Sequence, residues 1–268
     1  MDDREVGRMW DQNAEVWTKL ARAGYDVYRD RVNTPAFLAM LPDVAGLRGL
    51  DIGCGEGHNT RLLAQRGAAM TALDISPTFI RHARQAEREQ PLGIDYQIAS
   101  GAELPFRERT FDFAVAFMSL MDMAEADRAI REAFRVIKPG GFFQFSITHP
   151  CFLTPQWKWV KDDSGQRIGV ICGQYFDQKP FRIGEWIFSH LPAELKGTFR
   201  NFKAPIFQRT LSVWLNLLAD TGFQIERVTE PSADEKTAAE YPTLADTRAV
   251  AYFLIVRCRK PPLTGGLE

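Results

Sequence analysis

Apolar residues recur at helical intervals through "REVGRMWDQNAEVWTKLARAGYDVYRDRVNTPAFLAMLP", which predicts two amphipathic helices ahead of residue 45. Beyond that point the period changes. "LRGLDIGC" reads as a short strand and "NTRLLAQRG" as a helix stopped by Gly67. "AAMTALDIS" is a second strand, and "SPTFIRHARQAEREQ" a helix with Ser76 as N-cap and Pro77 in its first turn. A third strand, "IDYQIAS", precedes a fourth, "TFDFAVAFMSL", whose centre is apolar throughout, as in a parallel strand covered on both faces. The helix "EADRAIREAFRVIK" closes at "PGG" and leads to a fifth strand, "FFQFSITH". Strand and helix alternating through residue 149 predict an α/β fold, a doubly wound parallel sheet with helices on both faces.

After His149 the alternation fails. Residues 150–207 are aromatic, turn-rich and irregular, with strand-like pieces in "RIGVICGQYF" and "FRIGEWIF". It resumes with "TLSVWLNLLADTGF", a helix capped by Gly222, and with the strands "QIERVTEP" and "AVAYFLIVRCRK". The expected organisation is a helical cover (1–45), a core (46–149), a lid insertion (150–207), completion of the core (208–260) and a mobile tail (261–268). The insertion is too rich in aromatic residues for a disordered linker.

Composition narrows the classes. The chain has 268 residues, 45% of them hydrophobic, enough for a full core; its formal net charge of -1 does not suit a coat for nucleic acid or an anionic membrane. Its start, "MDDREVGRMWDQ", has neither the basic nor the apolar segment of a secretory leader. The run "AVAYFLIV" is far short of the ~20 residues a bilayer needs and reads as a buried strand. Cys54, Cys151, Cys172 and Cys258 are scattered without metal-ligand spacing, so reduced thiols in a cytoplasmic protein, and no metal, are expected.

Candidate chemistry centres on "LDIGCGEGHNT". Gly53, Gly55 and Gly57 clear one side of a turn after the first strand, where an open α/β sheet binds its ligands. A phosphate loop would need a lysine after its glycines, and the nicotinamide fingerprint would put a glycine where His58 stands. The spacing D-x-G-x-G-x-G, Asp51 to Gly57, instead resembles the class I S-adenosylmethionine-dependent methyltransferases. "TALDIS", "SGAELPFRERTFDFAVA" and "REAFRVIKPGGFFQFS" carry the resemblance onward in the family's order, covering Leu50 to His149. It extends loosely to "GFQIERVTEP" and "AVAYFLIV" as a closing antiparallel pair.

The resemblance implies a Rossmann-like, seven-stranded, mostly parallel sheet that binds S-adenosyl-L-methionine and releases S-adenosyl-L-homocysteine. It also implies roles. Gly53, Gly55 and Gly57 admit the methionine part and the ribose, and Asp51 serves near the cofactor's amino group. Asp74 takes the ribose hydroxyls, and Ile75 packs on adenine. Ser100, Gly101 and Ala102 line the adenine edge, and Phe117 and Met118 meet the methionine part through backbone groups. A common form of the family has an acidic residue where this chain has Ser100, and a hydroxyl does not replace that charge.

Methyl transfer from a sulfonium is an in-line displacement helped by placement and desolvation, with a general base useful for a protonated acceptor. His149, ending the fifth strand, is the first candidate for base or substrate contact; the alternative is a histidine that holds the strand end. Asp122 is either a base, an ammonium partner, or the cap of a helix starting near Ala124. Arg209 binds a substrate carboxylate or is a solvated arginine at a helix start. Trp157, Tyr175 and Trp186 offer aromatic walls to an apolar, flat or cationic acceptor, or else form the insertion's own core. Trp10, Trp17 and Tyr28 either close over the site or pack on the sheet.

These features predict methyl transfer to an O, N or S nucleophile of a small molecule, by a monomer or homodimer. A nucleic-acid methyltransferase and a non-catalytic cofactor-binding module are the alternatives. Against the first stand only eight Lys and Arg to five Asp and Glu in the insertion, and no Asn-Pro-Pro-Tyr-like segment after the fourth strand.

Overall fold

In the computed structural model, residues 1–177, 179 and 181–263 are described; most of the expected tail, from 264, lies outside the described residues. Helix α1 (Asp3–Arg22) starts at a capping box, in which the Asp2 carboxylate accepts from the Glu5 amide and Glu5 from the Asp2 amide, both at 2.9 Å. A π-helical turn, Arg29–Asn33, leads into α2 (Thr34–Met40). The alternating core follows as β1 (Arg48–Ile52), α3 (His58–Gln65), β2 (Ala69–Asp74), α4 (Pro77–Glu89), β3 (Asp95–Ile98), β4 (Phe111–Phe117), α5 (Ala126–Val136) and β5 (Ile137–Thr148). Ser76 caps α4 as predicted, its hydroxyl accepting from the Phe79 amide at 3.1 Å.

Two hairpins follow: β6 (Gln156–Lys161) with β7 (Arg167–Gly173), then β8 (Arg182–Trp186) with β9 (Phe202–Ile206) across the short α6 (Ala193–Lys196). The chain returns through α7 (Leu211–Thr221), β10 (Gln224–Thr229), α8 (Glu235–Glu240) and β11 (Phe253–Arg259). Seven strands pair in the order β10-β11-β5-β4-β1-β2-β3, parallel except along β11. The direction of winding reverses between β1 and β4, so their carboxyl ends border the crevice of the sheet.

Two apolar layers hold the sheet. On one side Phe143, Phe145 and Ile130 pack with Trp214 and Leu218; on the other Phe37, Leu63, Ile80 and Phe113 do. A third cluster joins Leu20 and Ala21 of α1 to Phe188, Leu191 and Phe202, and so fastens the second hairpin to the cover.

Two expectations need correction: the last strand starts at Phe253, not Ala249, and the fifth starts at Ile137 and contains the Pro-Gly-Gly expected to precede it. The segment between β10 and β11 holds α8 and a 3-10 turn at Pro242–Arg248. Among the described residues no helix is long and apolar enough to cross a membrane.

Candidate functional site

The glycine loop leaves β1 at its carboxyl end. Gly53, Gly55 and Gly57 all have positive φ, and a side chain at Gly57 would strike the Tyr96 hydroxyl at 2.6 Å. Above Gly55 the space is open: a Cβ there meets nothing within 4 Å. The loop is tied to the end of β2, since the Gly55 amide donates to Asp74 at 2.9 Å and the Ser76 amide donates to its other oxygen at 2.9 Å. Beside it, Ser119 donates to the Ile52 carbonyl at 2.6 Å, and the Met123 side chain would touch a Cβ on either Gly53 or Gly101. Met123 thus bridges the glycine loop and the segment after β3.

Two carboxyls, Asp51 and Asp74, meet at this loop with little to neutralise them, and a third, Asp122, lies in the turn after β4. Asp51, 1% exposed, accepts from Thr60 at 2.6 Å, while its second oxygen is buried without a partner. Burial, opposed by the Thr60 bond and helped by Asp74, pushes its pKa up to about 7. Burial also raises Asp74 to about 6, against the pull of the Ser76 and Gly55 amides. Asp122, in the turn after β4, is raised to about 8 by burial. No helix is capped by it: α5 begins at Ala126, and its cap position is Glu125. An open cradle, an orphaned carboxylate oxygen and an excess of acid suit a cationic ligand such as S-adenosylmethionine, which carries a sulfonium and an ammonium.

The structure places the other predicted residues as follows. Ile75 lies against α1 at Gly7. The Ser100 hydroxyl donates to Asp3 at 2.5 Å and accepts from the Ala102 amide at 3.1 Å. Phe117 packs tilted against Phe37, ring centroids 3.8 Å apart; the Met118 amide is taken by the Ser146 carbonyl at 3.0 Å, so it is not a free donor. Tyr28 packs beside Met118, and its hydroxyl lies 3.0 Å from both oxygens of Asp246. Trp10 meets Phe79 of α4 at 6.5 Å.

Several predicted residues have partners within the fold. His149 is 2% exposed, its Nε2 lies 2.6 Å from Glu230, and its Nδ1 accepts from the Cys151 amide at 3.2 Å. Both nitrogens are occupied, so it holds the strand end and has no lone pair to offer an acceptor's proton. Arg209 donates through Nη2 to the carbonyls of Met123 at 3.0 Å and Ala124 at 2.9 Å and lies over Trp214, so it braces the turn, while its buried Nη1 has no partner among the described residues. The Tyr175 hydroxyl accepts from the Leu211 amide at 2.8 Å, at the start of α7. Trp17 is wedged between Phe188 and Phe202, both at 4.8 Å, and Trp186 packs on Phe202 and Trp10. Trp157, 39% exposed, stands edge-on to Trp159 on the first hairpin.

Some contributors escaped sequence reasoning. Glu56, inside the glycine loop, pairs with Arg29 at 3.2 Å and Arg22 at 3.5 Å. Asp246 gathers Tyr28, Tyr252 at 3.0 Å and Arg167 at 2.8 Å, fastening the first hairpin to the core. Asp3, Gly7 and Asp11 form a four-residue repeat along α1, the one signal that could have been read.

A family model described as "Methyltransferase domain" matches residues 50–145. The chain is similar to the probable phthiotriol/phenolphthiotriol dimycocerosates methyltransferase 2 of Mycobacterium ulcerans, at 26% identity over 65% of this chain and 70% of that one. It is 38% identical to the demethylmenaquinone methyltransferase of Tropheryma whipplei over 51% of this chain, and spans only 56% of that relative's length. A solved S-adenosylmethionine dependent methyltransferase from Mesorhizobium loti superposes with a TM-score of 0.68 at 31% identity, covering 84% of this chain and 96% of that one.

Proposed function

Because the chain belongs to the S-adenosylmethionine-dependent methyltransferases, with S-adenosylmethionine as cofactor and S-adenosylhomocysteine as product, we propose that its acceptor is a small, largely apolar molecule presenting an O, N or S nucleophile. The observation that carries this reading is the turn after β4, whose Met123 reaches the glycine loop at Gly53 and the segment at Gly101, and which sets half-buried Asp122 among Leu120, Met121 and Met123. An apolar surround with one convergent titratable group is the usual build of a small-molecule site. The relatives that act on phthiotriol dimycocerosates and on demethylmenaquinone support the same class of acceptor.

When bound, the cofactor supplies a methyl group on a positively charged sulfur. The chain's own residues do the rest. Gly55 leaves room over the loop, the Asp74 carboxylate would receive the ribose hydroxyls, and the unpartnered oxygen of Asp51 would attract the ammonium group. Met123 and the turn at Leu120–Asp122 exclude water from the crevice. Asp122 takes the proton from the acceptor; with its pKa raised it is mostly neutral when alone, and a cation beside it favours the ionised form that a base must have.

The test is incubation with methyl-tritiated S-adenosylmethionine and panels of hydroxylated quinones, fatty acids, aromatic amines, RNA and DNA. Label is expected in the solvent-extractable small molecules. Asp122→Asn is expected to lower that rate roughly 100-fold with the affinity for S-adenosylhomocysteine retained. Label confined to nucleic acid would transfer the assignment to the nucleic-acid methyltransferases. Binding of cofactor without transfer to any acceptor would favour the non-catalytic module.

A further inference from the structure

Helix α1 meets the cofactor side of the sheet through one stripe. Asp3, Gly7 and Asp11 are spaced four apart and so share a face. Each meets a different part of the segments that follow β2 and β3. Asp11 accepts from the Ser76 hydroxyl at 2.7 Å and from the Thr78 amide at 2.8 Å. Gly7 lies so close to Ile75 that a Cβ would come within 2.9 Å of its Cγ1, so the absence of a side chain lets the helix seat there. Asp3 accepts the Ser100 proton at 2.5 Å.

Strands β2 and β3 are neighbours, with Asp74 opposite Ile98, so Asp74 and the Ser100 segment lie on adjoining strand ends about 4.8 Å apart. A nucleoside whose ribose is held at Asp74 turns its base toward that next strand end. The 6-amino group of adenine is a donor and needs an acceptor. Ser100 is the weaker candidate: its oxygen already accepts from the Ala102 amide, which leaves one neutral acceptor site, and a carboxylate stands beside it. Asp3 has an oxygen to spare: among the described residues only its Oδ2 is hydrogen-bonded.

We propose that Asp3, carried on α1 and pinned by Ser100, is the carboxylate that receives the 6-amino group of the cofactor's adenine, so that recognition of the base and closure of the cover are one event. This rests on the cofactor lying with its ribose at Asp74. The charge that Ser100 lacks is then supplied from a distant part of the chain, and a carboxylate acceptor is stronger than a hydroxyl. A 6-oxo base has no amino hydrogen to give Asp3 and sets a carbonyl oxygen against its carboxylate.

The test is calorimetric titration of the full chain and its variants with S-adenosylhomocysteine and with S-inosylhomocysteine, the 6-oxo analogue. The unaltered protein is expected to prefer the adenine compound about tenfold or more, as a charge-assisted bond allows. Asp3→Ala is expected to bind S-adenosylhomocysteine about tenfold more weakly while the inosine compound changes little, so the preference collapses. Ser100→Ala, which leaves α1 untouched, is expected to reduce the preference in the same direction and serves if the first variant does not fold. Unchanged preference in both variants removes Asp3 from the site while the cofactor site stands. Failure of the unaltered protein to bind either compound, or loss of preference in Asp74→Ala alone, removes the shared premise as well.

Discussion

His149 and Asp122 show how alike two titratable residues can look along the chain and how differently their surroundings treat them. Both follow a core strand at its carboxyl end. His149 is buried with a partner on each ring nitrogen, whereas Asp122 is half-buried with none among the described residues to neutralise it. Removing His149 leaves the Cys151 amide and the Glu230 carboxylate without their partner. His149→Ala should therefore lose about 1–3 kcal/mol of unfolding free energy and keep its affinity for S-adenosylhomocysteine. Urea unfolding and calorimetry on one preparation decide this; intact stability with a collapsed turnover would return His149 to the chemistry. What was legible at this level was local. Gly53, Gly55, Gly57 and Asp74 lie within one strand-helix-strand unit, so spacing reveals them. Asp3 and Asp246 act on partners 97 and 79 residues away, and no local pattern encodes such a pairing.

The core elements could be read because their environment imposes a pattern: a strand covered on both faces favours an apolar run, which β4 has from Phe113 to Phe117, while β1 and β2 are buried toward their carboxyl ends. Hairpin strands β6 and β9 escaped, since "QWKWVK" places lysines between its tryptophans and "FKAPI" contains a proline. These hairpins are held at a few points rather than by a broad core. Arg167 on β7 is one, its guanidinium 2.8 Å from buried Asp246 and over the Trp159 ring at 4.8 Å. The arginine is half-exposed, which limits its worth to about 1 kcal/mol or less. Arg167→Ala should thus speed amide exchange in β6 and β7 by up to about fivefold, with exchange in β1 and β4 unchanged. Equal exchange in both proteins would mean that the second hairpin's aromatic cluster, or the strands themselves, hold the insertion in place.

Across the whole molecule the unusual feature is where buried acid has accumulated. Asp122, Asp51, Asp74 and Asp26 have pKa values raised to about 8, 7, 6 and 6, in each case chiefly by burial. Asp51 and Asp74 lie at the glycine loop, Asp122 in the turn after β4, and Asp26 in the cover itself beside Arg29. A group whose folded pKa exceeds its unfolded one holds a proton that the unfolded chain has released. Between pH 4 and 8 the folded state thus binds more protons, and stability falls as pH rises, by up to about 1.4 kcal/mol per pH unit for each group. Asp11, Asp112, Glu132 and Glu226, with lowered values, act only at the acid end, where their contribution is lost as pH falls through their folded pKa. His58, lowered by burial and by Arg29, opposes the trend near pH 6, but it is one proton against four. The ligand-free protein should therefore melt at a lower temperature at pH 8 than at pH 5.5, and Asp122→Asn should flatten the upper part of that slope. A melting temperature that rises over this range would show that the crevice carboxyls are hydrated. A cation bound among them then has little burial penalty to relieve, and the electrostatic case for this crevice as the cofactor site falls with it.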